Sequence, residues 1–351
     1  MKGTAITVFP GNNSTAGFYS YYHSGLSAMD WIYILKGGPG TGKSTFMRHL
    51  AASFRDRGFN VELWQCSSDD DSLDGLLIPA LKTAIIDGTA PHTMDPVYPG
   101  VREVILNFGD YWRNGALVKD SAAIIALTDR IKDAFDQAYD HLKAAGDYDG
   151  ALLRLRKDQE NKDDEAEIEA VVKSIFGGEN GVIRHLFAAA VTPSGIRDLT
   201  FDICRDLKNR YFLRGKRGLG QQRYLMAVTA AAEKYGIAMD IYHGYLHPDE
   251  VVMVVLPTLD TVVAAAEIIP GEEIREGDRI IAFVGEKTKD EEQQLLEKRD
   301  AAIKQGAAEI DKAHRLHDDL ELFYSGAMDF ESISRLEKTV FQNILKSASK
   351  D

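Results

Sequence analysis

Cysteine is nearly absent from this 351-residue chain. The two present, Cys66 and Cys204, belong to no C-x-x-C pair, which argues against a disulfide framework or a cysteine-built zinc site. Long apolar runs are missing too. A membrane-spanning helix needs about 18 or more predominantly apolar residues, and the best stretch, Val251 to Ala266, is broken by Pro257 and Asp260. The opening residues Met1-Lys2-Gly3-Thr4 lack the apolar segment of a signal peptide, so a cytoplasmic location and no membrane partner are expected. Nor is there an excess of basic charge: 41 Lys and Arg stand against 54 Asp and Glu, a net charge of −13. That argues against a general nucleic-acid or anionic-membrane binder and leaves room only for a local basic groove. What the chain does have is apolar material, 44% of its residues, ample for two cores, in a length that suits two domains.

The most informative stretch is Gly37-Gly38-Pro39-Gly40-Thr41-Gly42-Lys43-Ser44-Thr45. It carries a complete Walker A pattern, in which backbone N–H groups of a glycine-rich loop wrap phosphate oxygens at a helix N-terminus. Lys43 is expected to reach the β- and γ-phosphates and the Ser44 hydroxyl to hold Mg²⁺. The context fits. Trp31 to Leu35 is a short β-branched and aromatic run that reads as a buried strand. Beyond the loop, Phe46, Met47, Leu50, Ala51 and Phe54 keep a helical period that ends at Gly58. Further strands are predicted over Asn60 to Cys66 and over Thr83 to Asp87. The latter has small or apolar residues ending in Asp, then Gly88, the form of a Walker B strand, with its carboxylate at the C-terminal edge of a parallel sheet. Asp87 is therefore the second expected Mg²⁺ ligand and, with Lys43, a catalytic candidate. An ordinary Asp-Gly turn is the alternative.

The same pattern returns, damaged, 178 residues later as Gly215-Lys216-Arg217-Gly218-Leu219-Gly220-Gln221-Gln222. At that offset Ile34-Leu35-Lys36-Gly37 faces Phe212-Leu213-Arg214-Gly215, Gly58 faces Gly236, and Leu76-Leu77-Ile78-Pro79 faces Val254-Val255-Leu256-Pro257. Such self-similarity predicts an internal repeat; two convergent apolar patterns are the alternative. Lys43, Ser44 and Asp87 meet Gln221, Gln222 and Ala265, so one working and one degenerate site are expected. The predicted domains are 1–178 and 179–351, with a Gly-rich seam at Gly177–Gly181.

Each core is expected to be followed by an antiparallel helical hairpin. In the first half, Ile124 to Leu142 keep a helical period ending at Ala145-Gly146, and a second helical run passes through the charged tract Arg156 to Glu169. In the second half, Leu296, Ile303, Ile310 and His317 are spaced by sevens and precede a final helix through Ile333 and Ile344. That seven-residue spacing also permits an intermolecular coiled coil.

Residues for chemistry beyond phosphate binding are fewer. A Glu often follows the Walker B Asp, and Gly88 stands there. The carboxylates of Asp69-Asp70-Asp71 are candidates for a substrate hydroxyl or the metal shell; an acidic loop capping a helix from Ser72 is the alternative. His92 is a candidate for the γ-phosphate or a substrate, or else packs in a turn. His243 and His247 have metal-ligand spacing but fall at a strand end, which disfavours zinc, and His314 and His317 read as an exposed helix face. Arg214, Lys216 and Arg217 make the degenerate loop basic, suited to an anion nest, to an arginine reaching the other half's γ-phosphate, or to no more than surface charge.

Gly37 to Thr45 resembles the Walker A of the P-loop NTPase superfamily. The whole chain resembles a bacterial family of tandem P-loop, ATP-binding proteins of unestablished role, through Cys66-Ser67-Ser68, Asp87-Gly88-Thr89-Ala90-Pro91-His92 and Gly109-Asp110-Tyr111-Trp112. The resemblance implies an α/β fold of two P-loop cores, each a doubly wound, mainly parallel sheet, and it implies ATP with Mg²⁺; it implies no substrate. Family members often keep a fuller second loop, from which Gln221 and Gln222 depart. The expected function is an ATPase, a hydrolase, or an ATP-dependent switch holding one nucleotide per chain, with an unknown small-molecule or protein partner. The alternatives are a small-molecule kinase using the Asp69–Asp71 loop and a sensor that binds ATP without turnover.

Overall fold

The computed structural model describes residues 1–113, 115–157, 169, 171–173, 175, 181–286 and 290–348. Most of the seam Gly177–Gly181 and of the charged tract Arg156 to Glu169 lies outside them. The first half runs β1 (Ala5–Val8), β2 (Gly11–Ser14), β3 (Gly17–Ser20), α1 (Tyr22–Gly25), β4 (Trp31–Lys36), α2 (Lys43–Asp56), β5 (Val61–Gln65), β6 (Leu73–Ile78), β7 (Thr83–Asp87), β8 (Glu103–Asn107) and α3 (Ser121–Arg156). The second runs β9 (Ile183–Phe187), β10 (Ala189–Thr192), β11 (Gly195–Asp198), α4 (Thr200–Cys204), β12 (Asn209–Arg214), α5 (Gln221–Lys234), β13 (Met239–His243), β14 (Val251–Leu256), β15 (Thr261–Ala266), β16 (Arg279–Ala282), α6 (Asp290–Ser325) and α7 (Phe330–Ala348).

Each half builds a six-stranded mixed sheet, in the order β1-β5-β6-β7-β4-β8 and β9-β13-β14-β15-β12-β16. The two orders are the same, the first five strands in each corresponding at the 178-residue offset, and in each only the third strand runs antiparallel to its neighbours. The internal repeat is thus a repeat of two α/β domains, and it extends well beyond the glycine loops. Even the backbone irregularities recur. Lys82 and Asp260 sit at equivalent positions with φ of 44° and 52°. Lys82 pairs with Asp30 and Asp260 with Lys208, the same two places with the charges exchanged.

The halves meet at Phe9 and Phe187, themselves 178 residues apart. Each donates its backbone N–H to the other's carbonyl, at 3.1 and 2.9 Å, the reciprocal contact that an approximate two-fold axis produces. Around it Val8, Trp64, Leu186 and Tyr242 form a core shared by the two sheets. The pair Arg184 to Glu62 (3.0 Å) and Asp240 (2.7 Å) ties β9 to β5 and β13.

The helices depart from the hairpin expectation. α3 does not end at Ala145-Gly146; it continues unbroken to Arg156. Gly146 is there for packing, since a Cβ would lie 2.4 Å from Thr15 Cγ2. α3 and α6 are each 36 residues long, about 54 Å at 1.5 Å per residue. They pack together within the chain through Ala138, Leu142, Ile303 and Ile310, so the seven-residue spacing serves a seam between the two halves. α7 then crosses back: Ile333, Val340 and Ile344 join Phe46, Leu50 and Phe54 in the first half's core. Val171 and Ile175, from the first half, join the second half's core around Tyr224 and Leu225. The helical appendages are exchanged between the halves.

Candidate functional site

The strand β4 is buried along Ile32 to Leu35, as a central strand covered on both faces requires. It delivers the chain to Gly37 at the C-terminal edge of the sheet. Gly40 (φ 64°) and Gly42 (φ 92°) take left-handed conformations that a side chain would strain, and Gly42 caps α2. Thr41, fully buried, fixes the turn by donating from Oγ1 to the Gly38 carbonyl at 2.8 Å. Pro39 and Thr45 complete the predicted stretch, the latter within α2.

Lys43 lies at the first position of α2 and is 8% exposed. Its Nζ donates to the carbonyls of Gly37 (3.0 Å) and Gly38 (2.8 Å) and stands 3.5 Å from Asp87 Oδ2. β7 pairs directly with β4, in register Leu35 to Asp87, and this brings the carboxylate to the loop. Asp87 Oδ1 accepts from Thr89 N (2.9 Å) and Oγ1 (2.6 Å). The turn and the approach to Lys43 are therefore both real; one oxygen serves each. The Ser44 hydroxyl accepts from the Leu73 N–H at 3.0 Å. Lys43, Ser44 and Asp87, predicted from separate stretches of sequence, converge on one loop.

The acidic loop is held otherwise than expected. No helix begins at Ser72; the chain enters the strand β6 at Leu73. Asp69 Oδ1 accepts from Asp71 N (2.8 Å) and its Oδ2 from Ser72 Oγ (2.5 Å). Asp70 Oδ2 accepts from Ser194 N in the second half (3.1 Å). These carboxylates cap their own turn and dock a hairpin.

Three groups around the loop come from α6, in the other half of the chain. A Cβ on Gly38 would lie 2.5 Å from the Tyr324 ring, and one on Gly40 2.7 Å from the Glu321 carbonyl. Tyr324 packs on Trp112 at 5.7 Å between ring centroids, and Trp112 bridges to Met328. His317, read from sequence as exposed, is half-buried and faces Glu321 at 3.5 Å. Burial lowers its basicity, helped by Lys43 and opposed by Glu321 and Asp69. Nothing in the helical period of α6 distinguishes these positions from solvent-facing ones.

Sequence reasoning also missed Asp74, buried near the start of β6 beside His92, Tyr22 and Cys66. Burial pushes its carboxyl above the usual range, against the pull of His92. Burial likewise raises the Cys66 thiol and the Tyr22 hydroxyl well above their ordinary values. The signal was available: in the 178-residue register Asp74 faces Val252.

At the second loop Gln221 takes the place of Lys43 and donates to the carbonyls of Gly215 (3.1 Å) and Lys216 (2.9 Å). Of the basic residues there, Lys216 and Arg217 are held in ion pairs. Lys216 and Arg156 share Glu292, at 3.1 and 2.7 Å, and Arg217 binds both Asp149 and Glu250. Burial lowers Arg217 to about 10. Arg214 is exposed at the end of β12. His243 and His247 do not converge: His243 pairs with His185 at 2.8 Å and His247 with Asp149 at 3.1 Å. Among the described residues no group of three or more His, Cys, Asp or Glu forms a metal-holding cluster, and no helix is long and apolar enough to cross a membrane. Comparison with known proteins returns no matching family model, no matching curated protein and no matching solved structure.

Proposed function

We propose that the first half is a P-loop that binds Mg-ATP, and that the protein is an ATPase or ATP-dependent switch with one working and one degenerate site. The observation that carries this reading is the position of Lys43, buried against the loop carbonyls and 3.5 Å from Asp87. A buried cation, a left-handed glycine turn at a helix N-terminus, a neighbouring serine hydroxyl and a carboxylate form the donor set that a Mg-bound polyphosphate requires. Lys43 would exchange the loop carbonyls for phosphate oxygens, and Ser44 and Asp87 would hold the ion. Mg²⁺, when bound, supplies charge neutralisation at the terminal phosphate.

The contacts of Tyr324 and Glu321 with Gly38 and Gly40 favour the switch form of the reading. A ligand that changes the loop must move against a helix whose other end packs beside the second loop. The kinase alternative through Asp69 to Asp71 is disfavoured, because Asp69 spends both oxygens on its own turn and Asp70 one on Ser194. Calorimetric titration of the full chain with Mg-ATP tests the proposal. Saturable binding that disappears in Lys43→Ala supports it, and equal affinity in the two proteins contradicts it.

A further inference from the structure

Behind Asp87 lies a group of buried polar side chains whose hydrogen-bonding capacity is unmet. Tyr22, Asp74 and His92 are 3%, 4% and 9% exposed. His92 Nε2 points between two carboxylates, 3.8 Å from Asp74 Oδ1 and 4.0 Å from Asp87 Oδ1, too far to bond to either. Both its ring nitrogens and the Tyr22 hydroxyl are buried without a hydrogen-bond partner. Asp74 is near enough to bias the Tyr22 hydroxyl but makes no well-formed bond to it. Native interiors rarely leave such atoms together unsatisfied, and where they do the place is functional or takes water. The Tyr22 and His92 rings stack at 5.0 Å and 9°, and a cavity of about 230 Å³ opens beside them, lined also by Ser20, His23 and Met94.

The internal repeat supplies a control. In the second half Tyr22, Asp74 and Asp87 are matched by Thr200, Val252 and Ala265, and no histidine occurs between Ala266 and Arg279. The sheet is the same without them, so the fold does not require these groups. They are absent from the half in which the lysine of the loop is also absent.

Resting on the reading of the first loop as a Mg-ATP site, we infer that the buried, unpartnered polar atoms of Tyr22 and His92, beside Asp74 and Asp87, seat the oxygen nucleophile that takes the terminal phosphoryl group. That nucleophile is water or a small alcohol. Its hydroxyl supplies the partner that His92 and Tyr22 lack, one carboxylate away from Lys43. In the transfer the O–H bond breaks and its proton passes to solvent. The oxygen forms the new bond to the terminal phosphorus, and the bond to the bridging oxygen breaks with its electron pair on ADP. Positioning of this kind is most of what phosphoryl transfer asks of a protein.

The test is binding of Mg-ADP to the full chain, with and without fluoroaluminate, which mimics the transferring group with its attacking oxygen in line. The wild type is expected to bind Mg-ADP more tightly when fluoroaluminate is present. Tyr22→Phe and His92→Leu are expected to keep Mg-ADP affinity within about twofold and to lose about tenfold or more of the fluoroaluminate gain. A wild type without that gain, or variants that retain it, would overturn the inference while leaving the nucleotide site standing. A wild type that does not bind Mg-ADP overturns both. Orthophosphate formed from ATP by the protein alone identifies water as the nucleophile, and a phosphate ester formed from added glycerol identifies an alcohol. Bound Mg-ATP that yields neither orthophosphate nor a phosphate ester would overturn the inference.

Discussion

Lys43 and Gln221 stand at the same place in two copies of one loop and make the same pair of contacts, each donating to two carbonyls of its own turn. Gln221 adds one more, accepting from the Leu219 N–H at 3.2 Å. The amide therefore reproduces everything the lysine does for the shape of the loop. What it omits is the charge, together with the carboxylate that faced it, since Ala265 replaces Asp87.

Lys43→Gln is accordingly a cleaner variant than alanine. The loop should keep its conformation, with the thermal midpoint close to that of the wild type. Mg-ATP affinity should fall by about ten- to a hundredfold, because hydrogen bonds to charged groups contribute roughly 1.5–3 kcal/mol. Paired calorimetry and thermal unfolding check both halves of this expectation. A large loss of stability with affinity retained would assign Lys43 to the fold.

Asp87→Asn separates the ion from the turn. The amide oxygen can still accept from Thr89 N and Oγ1, so the turn should persist. Binding in the presence of Mg²⁺ should weaken much more than binding with the metal chelated. Equal losses would reduce Asp87 to an Asp-Gly turn.

The exchanged helices give a stability prediction. Ile344, 3% exposed, packs in the core of the first half although it lies at the end of the chain. Ile344→Ala should cost about 2–5 kcal/mol and should raise amide exchange in α2 rather than in α5. Hydrogen-exchange mass spectrometry distinguishes the two.

His243 carries an acid-sensitivity prediction. Burial and the neighbouring His185 hold its pKa down to about 4, whereas the unfolded chain titrates near 6.5. Between those values the unfolded state binds the proton and the native state does not, so stability is full above pH 6.5 and is lost as pH falls toward 4. The loss is about 3 kcal/mol at most. In His243→Asn, denaturant titrations from pH 7 to pH 4 should show a correspondingly flatter acid limb.

The parts of this molecule that were legible in sequence are those governed by local pattern. The run Trp31 to Leu35, the apolar stripe of α2 and the glycines of both loops each state their role nearby, and the 178-residue register made the second domain readable from the first. The failures have physical causes. β6 contains Asp74 and Gly75, two poor strand formers. Gly75 is needed because a Cβ there would lie 2.9 Å from Trp64, a contact set by the neighbouring strand. Gly146 looked like a helix end because glycine often is one, yet its reason is Thr15, far away in sequence. The apolar face of α7 announced burial without naming a partner, and the partner proved to be α2 of the opposite half. Tyr324 and Glu321 reach the first loop only because of that exchange.

The proposed function requires one working nucleotide site in a chain that contains two copies of the same fold. The most direct test counts the nucleotide bound by wild type, Lys43→Gln and Gln221→Ala at an Mg-ATP concentration that only just saturates the wild type. The expected count is one per chain in the wild type, well below one in Lys43→Gln and one in Gln221→Ala. Two per chain, or a site that survives Lys43→Gln and is lost in Gln221→Ala, would contradict it.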